Sequence, residues 1–76
     1  MKYQHKITHI VVEAAKFQRD TQVELISENK LILTPIKEGQ YLVSRFNDKD
    51  EIISQVILNE DVFNNTYVPL KQLLLD

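Results

Sequence analysis

The chain of 76 residues has no cysteine, a single glycine and only two histidines. The absence of cysteine excludes disulfide bonds and suits a reducing cytoplasm. One glycine cannot form the glycine-rich loop that cradles phosphate groups, and two imidazoles argue against a strong metal site. We therefore expect a protein that binds no metal and no cofactor.

Long hydrophobic runs and an excess of basic charge are also missing. No stretch approaches the roughly 20 apolar residues that cross a bilayer, and no apolar run typical of a signal peptide follows residues 1–6. The net charge of −2 and the pI of about 5.6 lack the basic excess of a free-standing nucleic-acid-binding protein. We expect one soluble, cytoplasmic domain, since a chain this short has no room for a second core.

Short runs of β-branched, aromatic and leucine residues alternate with polar turn sequences, a pattern typical of antiparallel hairpins. Glu28-Asn29 suits a tight turn because Asn tolerates positive φ, and Gly39 suits the left-handed position that closes a three-residue loop at 37–39. The pattern predicts a mainly β (α+β) fold, a meander of about five antiparallel strands. The expected strands cover residues 7–12, 21–27, 30–36, 40–46 and 51–58.

Helix is expected in short pieces only. Ala14 and Ala15 favour a single helical turn over residues 13–17. Asn59 is a good N-cap before two acidic residues, which predicts a helix over about 60–65. Pro69 suits the start of a second helical segment reaching residue 75.

Several strands carry apolar side chains on both faces. Leu31 and Leu33 point opposite to Ile32, whereas a sheet with one solvated face would alternate apolar and polar residues. Both faces therefore need cover, either from barrel-like curling, from a helix or from a second subunit, and we expect a homodimer or a stable complex. Pro35 cannot donate to a ladder and indicates an edge or a bulge.

Catalytic patterns are missing from the sequence. No nucleophile has a nearby base, and no serine lies in an elbow motif. The spacing of His5, His9 and Glu13 would align three metal ligands only on a helix, which the β-branched run at 7–12 disfavours. A chain this small also has little volume for a concave site, so we expect neither an enzyme nor a small-molecule substrate.

The leading hypothesis is a small non-enzymatic regulator or inhibitor that binds a macromolecular partner, most readily a protein. The apolar tail supplies the candidate anchors, which are Tyr67, Leu70, Leu73 and Leu74. The alternative is a DNA-binding regulator, in which a small basic patch meets phosphate groups. Its candidate residues are Lys6, Lys16 and Arg19.

Residues 21–37, TQVELISENKLILTPIK, resemble the second half of the AbrB/MazE-like swapped-hairpin domain, with an acidic-apolar strand, a Glu-Asn turn, an apolar strand and a closing proline. Residues 66–74 also resemble the Tyr- and Leu-containing tail by which such antitoxins hold their toxins. The resemblance implies an interlaced dimer that binds DNA through its N-terminal strands. Strands 40–46 and 51–58 have no counterpart in that family.

A second fold fits the same pattern. A five-stranded meander followed by the closing sequence Val68-Pro69-Leu70 is compatible with a small SH3-like barrel. Such a barrel would be a binding module or a small inhibitor, although the fold alone does not define the ligand.

The leucine face of the tail gives a first prediction. If Leu73 packs on the sheet as core, which we favour, Leu73→Ala should cost about 2–5 kcal/mol of folding stability. If Leu73 anchors a partner instead, thermal melting should stay nearly unchanged while partner binding weakens by ~2 kcal/mol or more. Melting curves and partner capture separate the two. A large loss of melting temperature with retained capture would exclude the anchor.

Overall fold

The structure is a computed structural model that describes residues 1–70. It is mainly β and antiparallel, which confirms the predicted fold class. Within that range it contains seven strands and one helix. The elements are β1 (Lys2–His5), β2 (Val11–Lys16), β3 (Thr21–Ser27), β4 (Lys30–Ile36), β5 (Tyr41–Phe46), β6 (Ile52–Leu58), α1 (Glu60–Thr66) and β7 (Tyr67–Pro69).

The strands form two ladders. A five-stranded sheet has the order β6-β5-β2-β1-β7, and β3 and β4 form a separate two-stranded sheet. With the β3–β4 hairpin set aside, four strands follow one another as a meander and the last strand returns beside the first. The predicted strands 21–27 and 30–36 stand outside that order, because they form the separate hairpin. Among residues 1–70 no ladder joins β6 to β7, so the sheet stays open along that line.

The turn at 37–39 differs from the expected hairpin, although Gly39 does adopt the left-handed conformation with φ of 88°. Strand β4 pairs only with β3, and β5 pairs with β2 and β6. The Phe17 N–H donates to the Gln40 carbonyl and the Gly39 N–H to the Phe17 carbonyl. The β3–β4 hairpin therefore leaves and re-enters the meander at one place, as an insertion between β2 and β5.

The N-terminal third corrects two predictions. A turn occupies residues 6–8, where a strand over 7–12 was expected, because the His5 Nδ1 accepts the N–H groups of Ile7 (3.1 Å) and Thr8 (3.2 Å). Such local bonds compete with strand formation despite β-branched residues. The helical turn expected over 13–17 is also wrong. Ala14 and Ala15 lie in β2, where pairing with neighbouring strands outweighs helix propensity.

The C-terminal part confirms the first predicted helix and changes the second. Helix α1 begins after Asn59, but the Asn59 side chain accepts a bond from Gln40 Nε2 (2.8 Å) instead of capping the helix. Pro69, expected to start a helix, closes strand β7, and Leu70 directly after it has helical conformation. The rest of the predicted second helix, residues 71–75, lies outside the described residues.

Phe63 on α1 is the centre of the main core. Its side chain is 1% exposed and belongs to a cluster with buried Val12, Ala14 and Val43. The ring stacks on Tyr41 with centroids 3.9 Å apart, and it meets Tyr3 edge-on at 4.7 Å. Burial, and secondarily the neighbouring Tyr41, raises the pKa of the Tyr3 phenol, so this group stays neutral at physiological pH.

The second prediction concerns this ring. Phe63→Ala should cost about 3–5 kcal/mol of unfolding free energy, because it removes a buried ring and leaves a cavity among aromatic side chains. A domain of this size shifts its melting temperature by about 4–8 °C per kcal/mol. Val62→Ala, at the half-exposed neighbouring position, is the control and should melt nearly as the wild type. Equal melting of the two variants would contradict the assigned core.

Candidate binding surface

The β3–β4 hairpin lies against the sheet face opposite to α1. Ser44 and Gln55 are cross-strand partners on that opposite face, since they alternate with core-facing Val43. The Gln55 Nε2 donates to the Ser44 hydroxyl (3.1 Å), and the Gln55 Oε1 accepts the N–H of Ile26 in β3 (3.0 Å). Gln55 therefore links the hairpin to β6 through one side chain.

The two faces of the hairpin have different surroundings. The ladder places Val23, Thr34 and Ile36 on one face, where Ile36 is buried and the other two are half-buried. Leu31 and Leu33 lie on the opposite face and remain 66% and 65% exposed. The inner face thus buries Ile36, while the outer face of β4 presents leucine to the solvent.

The turn determines the phase of the hairpin ladder, that is, which cross-strand pairs exchange hydrogen bonds. Glu28 and Asn29 both have positive φ, 50° and 65°, as a two-residue type I′ turn requires. The flanking pair, Ser27 and Lys30, then exchanges both hydrogen bonds, and alternate pairs along the ladder do not. The bond from the Ile26 N–H to Gln55 agrees with this phase, since Ile26 belongs to the first outward-facing pair.

This phase leaves the outer edge of β4 open. Leu31, Leu33 and Pro35 direct their backbone groups away from β3, and within residues 1–70 no other strand pairs with β4. Pro35 has no backbone N–H, so it leaves no donor without a partner at that edge. Its position confirms the edge predicted for this proline. The result is a short open edge with the N–H and C=O of both leucines available and their side chains exposed.

The predicted tail anchors are only partly within the described residues. Tyr67 is half-buried, with its ring 5.3 Å from that of Phe63 and 5.4 Å, edge-on, from that of His5. Leu70 is also half-buried. Leu73 and Leu74 lie outside the described part of the chain. The structure therefore brings Tyr67 into the aromatic packing around α1.

The structure does not bring the three predicted basic residues together. Gln4 pairs with Val11 in the β1–β2 ladder. Lys16 lies about 16 Å from Val11 along β2, and Lys6 lies past the end of β1 in the opposite direction. Arg19 follows Lys16 in the loop before β3. The Lys16 ammonium is paired with Glu60 Oε2, and this hydrogen bond raises the pKa of Lys16.

A recess of about 320 Å³ lies elsewhere on the surface and is lined by Lys2, Val11, Val12, Glu13, Phe46 and Asp50. Its lining mixes one basic residue with two acidic ones, which selects no single class of ligand. In the described residues no group of three or more His, Asp or Glu side chains is arranged to hold a metal ion. His5 instead holds the turn after β1.

Sequence reasoning recognised the hairpin and its edge proline but did not select Leu31 and Leu33 as site residues. Their exposure depends on which hairpin face packs on the sheet, and β3 and β4 are apolar on both faces. Comparison with protein families, curated proteins and solved structures finds no match to this chain. None of the helices in residues 1–70 has the length and apolar character needed to cross a membrane.

The link through Gln55 gives a third prediction. Gln55→Ala removes the acceptor of the half-buried Ile26 N–H and should cost about 1–3 kcal/mol, because that donor is left without a partner. Hydrogen exchange should accelerate in the β3–β4 amides more than in those of β1 and β2. Ser54→Ala, at the exposed neighbouring position of β6, should leave exchange unchanged. Unchanged β3 protection in Gln55→Ala would show that this side chain does not hold the hairpin.

Proposed function

We propose that this protein is a small non-enzymatic regulator, inhibitor-like or antitoxin-like, that acts by binding a protein chain at the open edge of β4. The observation that carries the proposal is that Leu31 and Leu33 combine backbone groups that no strand in residues 1–70 uses with side chains that are exposed. The proposal places the protein in the cytoplasm, where a chain without cysteine loses no disulfide.

An extended segment added to this edge would meet both requirements of strand addition. Backbone N–H and C=O groups supply directional hydrogen bonds, and alternate side chains supply apolar contact. Leu31 and Leu33 provide both from the same positions. Lys30 and Pro35 bracket the open stretch, so the site suits a short strand and not a long sheet.

DNA binding is the alternative proposal, supported by the AbrB/MazE-like resemblance of residues 21–37. The geometry of the basic residues supports it less. Lys6 and Lys16 lie at opposite ends of the β1–β2 pair, and Lys16 is already matched by Glu60. A phosphate contact at Lys16 would compete with that carboxylate.

The fourth prediction tests the edge. Tagged Leu33→Lys should lose stoichiometric protein partners in affinity capture from a lysate of the native cell, because an edge lysine opposes strand addition. Tagged wild type should keep these partners after nuclease treatment. Ile53→Lys is the matched control, since Ile53 is an exposed apolar residue of β6 away from the β4 edge.

Two results would contradict the proposal. Retention of the same partners by Leu33→Lys would remove the β4 edge from the interaction. Recovery of nucleic acid without stoichiometric protein, abolished by nuclease, would favour the DNA-binding alternative.

A further inference from the structure

We infer that the chain that occupies the β4 edge is a second copy of this protein, paired antiparallel with Ile32 on the two-fold axis. The inference rests on the proposed function, in which this edge binds a polypeptide strand, and it names the partner. It is carried by how well β4 matches itself in hydrogen bonding and in side chains.

The hydrogen bonds between the two copies depend on which residues of β4 direct their N–H and C=O groups outward. An axis through Ile32 places Leu31 opposite Leu33 of the second copy, and these are the residues whose N–H and C=O groups point outward. Each of the two symmetric pairs then exchanges both of its hydrogen bonds. The backbone groups that β3 leaves open on both leucines are all satisfied.

Neighbouring registers fit less well. Moving the axis to Leu33 places Leu31 opposite Pro35, which has no N–H to donate. Moving the axis to Leu31 places Leu33 opposite Asn29, which lies in the turn with positive φ and is not part of the strand. The axis through Ile32 alone pairs both leucines fully.

The side chains match in the same register. Leu31 and Leu33 lie on one hairpin face, so the leucines of the two copies form one apolar cluster across the axis. Ile32, half-exposed on the other face, meets Ile32 of the second copy. Isologous contacts of this kind pair one surface patch with itself.

Charge does not oppose the pairing. Residues 31–36 carry no charge, and the single charged residue of β4, Lys30, falls opposite Thr34. Like charges are therefore not placed opposite each other, an arrangement that would destabilise the pair. A partner of different sequence would not be needed to neutralise this edge.

Ile32→Cys tests the register directly, because the chain has no other cysteine. On the axis, Ile32 faces its copy in a non-hydrogen-bonded pair with Cα atoms about 4.5 Å apart, within the range that a disulfide spans. Purified Ile32→Cys should convert almost completely to a disulfide-linked dimer under mild oxidation. Ile53→Cys is the control of matched exposure and should remain largely monomeric in the same time.

The register control is Leu31→Cys, which should link at least about tenfold more slowly, since it faces Leu33 and not itself. Sedimentation should show a dimer for wild type and a monomer for Leu33→Lys, with the melting temperature dependent on concentration only in the wild type. Equal linking of Ile32→Cys and Ile53→Cys would overturn the inference. So would a wild-type protein that stays monomeric in sedimentation at a concentration on the order of 100 µM.

The failure of this inference and of the proposed function are distinguishable. A wild-type monomer that captures a different protein, lost in Leu33→Lys, overturns the second copy as occupant and keeps strand addition at β4. A wild-type dimer that Leu33→Lys does not disturb, together with unchanged capture, overturns both.

Discussion

The packing of Phe63 is the interaction on which the main sheet depends. Its ring contacts Tyr3 from β1, Tyr41 from β5 and Tyr67 from β7, so one side chain from α1 joins strands at the centre and at one edge of the sheet. Few residues in the described part of the chain are fully buried. A small core must therefore draw much of its stability from a few large aromatic side chains.

The hairpin forms a second unit held by different forces. Its inner face buries Ile36, which is not part of the Phe63 cluster, and Gln55 fixes the position of β3 by a side-chain hydrogen bond. The backbone bonds between residues 17 and 39–40 close its base. Because β3 and β4 do not join the main ladder, one side of the hairpin is left for other contacts.

Much of the fold could be predicted from the sequence because turn chemistry is local. Asn29 and Gly39 adopt the left-handed conformations that their residue types allow at little cost, and the strands around them have nearly the predicted bounds. The pairing of β5 with β2 could not be predicted, because ladder partners are set by tertiary packing. The same reason explains Ala14, whose helix propensity is outweighed in a buried strand.

The candidate site could be predicted only in part. Pro35 signalled an edge because a proline cannot donate to a ladder, and this depends on the residue alone. Leu31 and Leu33 carried no comparable signal. Apolar residues on both faces of β4 are equally consistent with two buried faces, and only the position of the hairpin on the sheet shows which face stays open.

An open edge with exposed leucines is an aggregation hazard unless pairing stops after one partner. Pro35 and the turn at Glu28-Asn29 restrict the open stretch of β4 to Leu31 and Leu33. The other edge of the hairpin, at β3, already bonds to Gln55 through Ile26. In the proposed two-fold pairing, the outward backbone groups of both leucines bond to the second copy, so the β4 edge is fully used by two chains.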